Sequence, residues 1–186
     1  MALGTGSIAF VGFNADGNDN IAFVALTGIS AGETIVFEDN EWNGTAFADT
    51  NEGAFSWTAT ANVAAGSIVK IDNIGAGTIS ANAGTASSSV SGRGSNRGIG
   101  ASSETIYAYQ GSASAPVFLT AVTNGGFNAS NGVLTGTGLT AGVNALDLST
   151  LDADADVAAF TGARSGAATF ADYRASINTA SNWIAE

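Results

Sequence analysis

Apolar and polar residues alternate over short runs punctuated by Gly, Asn, Asp and Ser, at residues 8–13, 20–26, 34–38, 54–58, 67–72, 105–110, 117–122 and 143–148. A period of two is that of a strand, whose successive side chains point to opposite faces. In 54–58, Phe55 and Trp57 fall on one face and Ser56 and Thr58 on the other; in 34–38, Ile35 and Phe37 oppose Thr34 and Val36. Strands of this kind bury one face against another sheet, so the pattern predicts an all-β fold of two sheets sharing a core. Between the first two runs stands "NADGNDN" at 14–20, whose Asp-Gly supplies the positive-φ position of a hairpin connection.

Two segments break the alternation. Residues 75–104, "GAGTISANAGTASSSVSGRGSNRGIGASSE", hold few large apolar side chains and read as a Ser/Gly-rich surface excursion. Its Arg93 and Arg97 are expected to be exposed and to reach acidic surface, in this chain or a neighbouring one. Near the end, Thr169 and Asp172 stand at capping-box spacing, and Phe170, Tyr173 and Ile177 follow at helical spacing. They predict one helix of about three turns near 170–180, lying on the sandwich or closing one of its ends. No fixed-period repeat is visible, and 186 residues suffice for a single domain, 1–186, with a core that needs no covalent staples.

Composition narrows the function. Charged residues make up only 11% of the chain, yet 16 acids face five basic residues, a net charge of −11. No Lys/Arg-rich run is present to neutralise phosphates, which argues against nucleic acid as a partner. The same imbalance favours divalent cations, which are abundant outside cells. Cysteine and histidine are both absent. Without them there is no thiolate, no imidazole base and no usual zinc or iron ligand, so most hydrolase and metalloenzyme designs are excluded. No run of 18 apolar residues could span a membrane, and "MALGTGSIAF" lacks the features of a cleaved signal peptide. An extracellular or cell-surface location reached through an uncleaved C-terminal signal fits this composition, with a cytosolic chain as the alternative.

Candidate chemistry centres on "FEDNEWNG" at 37–44 and "DTNEG" at 49–53, two acidic groups in one inter-strand connection. Carboxylate and amide oxygens gathered on a loop are hard ligands of the kind calcium takes, which makes Asp39, Glu41, Asp49 and Glu52 candidate calcium ligands. Alternatively, Asp39, Asn40 and Glu52 cap backbone N–H groups in a turn while Trp42 covers the open end of the core. Paired carboxylates can also hydrolyse glycosides, but that chemistry wants a cleft lined by several aromatics. "DADAD" at 152–156 resembles the start of an EF-hand loop, with Val157 where its glycine should stand and no closing glutamate. "GRGSNRGIG" lacks the Lys-Ser/Thr and the strand–helix setting of a phosphate loop.

Taken in order, "SIAFVGFNADGNDNIAFVAL", "ISAGETIVFEDNEW", "NEGAFSW", "AAGSIVKI", "SSETIYAYQG", "AGVNALDL", "FTGARSG" and "INTASNW" resemble lamin-tail-like β-sandwich modules of secreted bacterial and cyanobacterial surface proteins. The resemblance covers most of the chain. It implies an Ig-like, non-catalytic sandwich and structural roles for Asp39, Trp42, Glu52 and Trp183; with the helix predicted above, the expected fold is an all-β, Ig-like two-sheet sandwich with one short C-terminal helix. The expected function is that of a non-enzymatic structural protein, a self-assembling subunit of a surface fibre or layer, with calcium as a cross-linker. One expected route is pairing of residues 8–13 with the sheet edge of a neighbouring copy. The alternative is a monomeric adhesion module for surface glycans or calcium, with Trp42, Tyr107 and Tyr109 offering stacking faces.

Overall fold

The computed structural model describes residues 2–48, 51–153 and 155–186. Among the described residues, twelve strands form two six-stranded sheets. In chain order these are β1 (Ile8–Asn14), β2 (Asn20–Ala25), β3 (Thr34–Glu38), β4 (Ala54–Thr58), β5 (Ile68–Asp72), β6 (Ser80–Ala81), β7 (Thr85–Ser87), β8 (Thr105–Ser112), β9 (Ala115–Thr123), β10 (Ala145–Asp147), β11 (Val157–Phe160) and β12 (Trp183–Ala185). The first sheet runs β12-β11-β1-β2-β5-β6 and the second β10-β9-β8-β3-β4-β7. The fold is therefore the all-β, two-sheet sandwich that the alternation predicts.

Between the sheets, Phe23 packs on Phe37 and Trp57 with ring centroids 5.8 and 5.3 Å apart, and Phe10 meets Phe37 at 6.2 Å. Phe10 and Phe13 both point inward although they stand an odd three positions apart, because the β1–β2 register slips at Phe10/Gly12. Gly17, with φ of 72°, closes the β1–β2 hairpin as the Asp-Gly pair predicts. Segment 143–148 pairs only from Ala145. There β10 lies parallel to β9, and Val143 remains exposed in the preceding turn.

A second core lies on the outer face of the second sheet. Trp42 and Phe47, folded back from the β3–β4 connection, pack against Tyr107, Tyr109 and Phe118 with centroids 5.0–6.2 Å apart. Val36 and the two tyrosines, on the face that alternation assigns to solvent, are buried under this cover. Trp42 thus roofs an outer face of a sheet and does not plug the open end of the core.

The 75–104 segment is built into the sandwich. β6 joins the first sheet beside β5, and β7 joins the second beside β4, so the chain crosses from one sheet to the other along one side. Ile79 and Ile99 are buried. Backbone polarity, which residue composition does not display, supplies the pairing.

The C-terminal helix is shorter than the three turns predicted. A 3-10 turn, Phe170–Tyr173, opens on the Thr169/Asp172 capping box and leads into α1 (Arg174–Ile177), a single α-turn. Trp183 ends it: the indole is buried, and its Nε1 donates to the Ile177 carbonyl at 2.6 Å, while Asn182 Nδ2 donates to that of Ser176 at 2.8 Å. These side chains satisfy helix-end carbonyls that a further turn would have used. The chain then enters β12, which pairs with β11.

Candidate functional site

Sheet pairing gathers the acidic residues. β3 lies between β4 and β8 and is antiparallel to both, with Glu38 opposite Ala54 and Tyr107. The end of β3 and the starts of β4 and β8 therefore share one end of the sheet. Asp39 follows β3, Glu52 precedes β4 and Glu104 precedes β8. One oxygen from each of these three carboxylates lies within 4.8 Å of the other two. Opposite ligands of a calcium ion, each at about 2.3–2.6 Å, stand up to about 5 Å apart, so one ion could touch all three.

The loop is tied in place by its amides. Asn40 Nδ2 donates to the Glu52 carbonyl at 3.3 Å, and the Glu52 N–H donates to Asn40 Oδ1 at 3.2 Å. Glu104 is clamped through its backbone: its N–H donates to Asn124 Oδ1 at 2.8 Å, and its carbonyl accepts from the Thr123 hydroxyl at 2.8 Å.

Electrostatics at the cluster is one-sided. Asp39 is 5% exposed, and its Oδ1 finds no hydrogen-bond partner among the described residues. Burial pushes the Asp39 carboxyl well above the usual range, and the charges of Glu104, Glu52 and Glu41 push the same way. Burial, then the charge of Glu52, raises Glu104 to about 7, partly offset by its hydrogen bond with Asp39. Every charged neighbour acting on these two groups is itself an acid.

Glu38, one residue before Asp39, has the opposite surroundings. It is completely buried, and its Oε1 lies 2.7 Å from Arg93 Nε. Tyr109 Oη donates to its Oε2 at 2.9 Å, and Asn40 donates to Oε1. The Arg93 guanidinium also stands 5.1 Å from the centre of the Phe47 ring. Arg93 is thus a buried internal partner, contrary to the exposed role expected of it. Arg97 serves the backbone, with Nε donating to the Ile74 carbonyl at 3.0 Å.

Of the four candidate ligands, Asp39 and Glu52 come together. Glu41 acts on the cluster through its charge without joining it, and Asp49 lies outside the described residues. Glu104, the third member, was missed. Its one sequence signal is an acid directly before a strand, which becomes informative only once β8 is known to pair with β3. Among the described residues this is the one group of three carboxylates so placed; the middle acid of "DADAD", Asp154, lies outside the described residues. Asp39 itself is too deeply buried to meet a glycoside. The sugar-stacking expectation also fails for the residues named: Trp42, Tyr107 and Tyr109 are all buried in the second core.

Comparison with protein-family models, curated proteins and solved structures returns no match.

Proposed function

We propose that this chain is a non-catalytic, extracellular structural module whose acidic end binds a divalent cation, calcium in preference to softer metals. One observation carries the reading: three carboxylates converge within 4.8 Å, the charges acting on Asp39 and Glu104 are all acidic, and a buried Asp39 oxygen lacks a hydrogen-bond partner among the described residues. Buried charge is tolerated when it is paired or bound to a metal, and an all-oxygen set is that of a hard cation. Three carboxylates supply about three to six oxygens, leaving the remaining positions to carbonyls or water. The bound ion would fasten the end of the 75–104 segment to the β3–β4 connection. The resemblance to lamin-tail-like surface modules and the lack of histidine and cysteine support the non-catalytic role.

Titration of chelator-treated protein with calcium tests this. Calcium should raise the melting temperature, with saturable heat in calorimetry, and Asp39→Asn or Glu104→Gln should abolish both effects. No response at several millimolar calcium overturns the reading.

Self-association into a surface fibre or layer belongs to the same proposal, because copies with a net charge of −11 repel one another until cations screen them. The route through residues 8–13 is closed: β1 is hydrogen-bonded to β2 on one side and β11 on the other. Sedimentation and electron microscopy with calcium and with chelator should show larger particles only with calcium. Uniform monomers in both at high concentration overturn this part alone. No helix among the described residues is long and apolar enough to cross a membrane.

A further inference from the structure

The outer face of the first sheet carries a groove, far in character from the acidic end. Val11, Ala22, Val24 and Ile68 form its floor, and Phe170 and Ile177 of the C-terminal segment form a wall. It holds about 310 Å³, and a second hollow of about 290 Å³ adjoins it on the other side of Phe170 and Tyr173, edged by Thr169. Ile68 and Phe170 are 45% and 48% exposed, large apolar groups left in solvent.

In a chain with 16 acids, the one charged side chain among the described residues that lines either hollow is a base, Arg164, and it lines both. One guanidinium nitrogen, Nη2, donates to the Phe160 carbonyl at 2.9 Å, which fixes the group at the junction. Arg164 has no acid in contact within 4 Å among the described residues, whereas the sheet's other exposed cation, Lys70, is paired with Asp72 at 2.8 Å. The Asp172 carboxylate is turned away, accepting from Thr169 N–H and Oγ1 at 2.7 and 2.9 Å.

We propose that this groove binds a small amphipathic carboxylate, its apolar body against Val24, Ile68 and Phe170 and its carboxylate on Arg164. Two arguments select that class. A volume of this size, walled by the C-terminal segment, admits one short acyl chain or ring and is at the small end of ligand pockets, which run from about 300 to 1,000 Å³. A lone guanidinium beside an apolar floor complements a single anionic head, with carboxylate geometry matching its paired N–H donors. A second copy of the chain, the other candidate occupant, carries the same net charge of −11 and is repelled as a whole, a cost that a small monoanion does not meet.

The proposal is independent of the cation site. Its test is calorimetric titration with monomeric decanoate, with decanol as the uncharged counterpart. Decanoate should bind saturably at one per chain. Arg164→Gln should weaken decanoate about tenfold, the loss of one charge-assisted contact, and leave decanol unchanged. Ile68→Glu should abolish decanoate binding by placing a like charge in the groove. Both positions are exposed, so circular dichroism should report an unaltered fold. Absence of saturable decanoate binding, equal binding by wild type and both variants, or a wild-type dimer that Ile68→Glu dissociates would each overturn it.

Discussion

Glu38 and Asp39 are adjacent in sequence, yet one faces a cation and the other only acids. Glu38 is the last β3 residue on the outer face, directly beneath the second core, where Arg93 and Tyr109 reach it. Removing one partner of such a buried pair leaves an uncompensated charge, so Arg93→Met should cost about 3–5 kcal/mol in urea unfolding. Neutralising both, as Glu38→Gln with Arg93→Met, should recover most of that loss. At the cluster the sign is reversed. Glu104→Gln keeps the shape and removes repulsion, so in chelator at pH 8 it should stabilise the protein by about 1 kcal/mol while losing the response to calcium. A variant that is less stable in chelator would contradict the repulsion.

The element scale explains what could be read from the chain and what could not. β1 to β5, β8 and β9 were legible because their runs alternate and end at Gly, Asn or Asp. β11 and β12 were not: "VAAF" and "WIA" are too short to show a period, and their pairing across 25 residues is tertiary. The candidate site was half legible for the same reason. Asp39 and Glu52 share a loop, whereas Glu104 reaches them only through the β3–β8 pairing. The 75–104 segment hid its role because close backbone approach leaves no apolar signature. At Gly53 an added Cβ would lie 1.9 Å from the Asn96 carbonyl oxygen, next to the Gly53–Gly94 bridge. Gly53→Ala should therefore push the segment off the β3–β4 connection, costing about 1–3 kcal/mol. Calcium affinity should fall with it, because Glu52 is adjacent and Glu104 lies at the segment's end. Unchanged calorimetry in a destabilised Gly53→Ala protein would separate the segment from the site.

At the scale of the whole molecule, the raised carboxyls make stability depend on pH in a direction that calcium should reverse. Glu104 moves from 4.5 to about 7 on folding, so between those values the folded chain holds a proton that the unfolded chain has released. Stability from this group is therefore fully present below about pH 4.5 and is lost as the pH rises through about 7. Asp39, raised for the same reason, acts in the same direction. Calcium competes with those protons, and its binding strengthens as they leave, so its stabilising effect should grow over the same interval. Urea midpoints measured from pH 4.5 to 8, in chelator and in calcium, for wild type and Glu104→Gln, isolate this contribution. The wild-type midpoint in chelator should fall relative to the variant across the interval, and calcium should restore it only at the upper end. A wild-type-to-variant difference that is flat with pH would mean that Glu104 ionises as freely in the folded chain as in the unfolded one, leaving the cluster no unmet charge for a cation to neutralise.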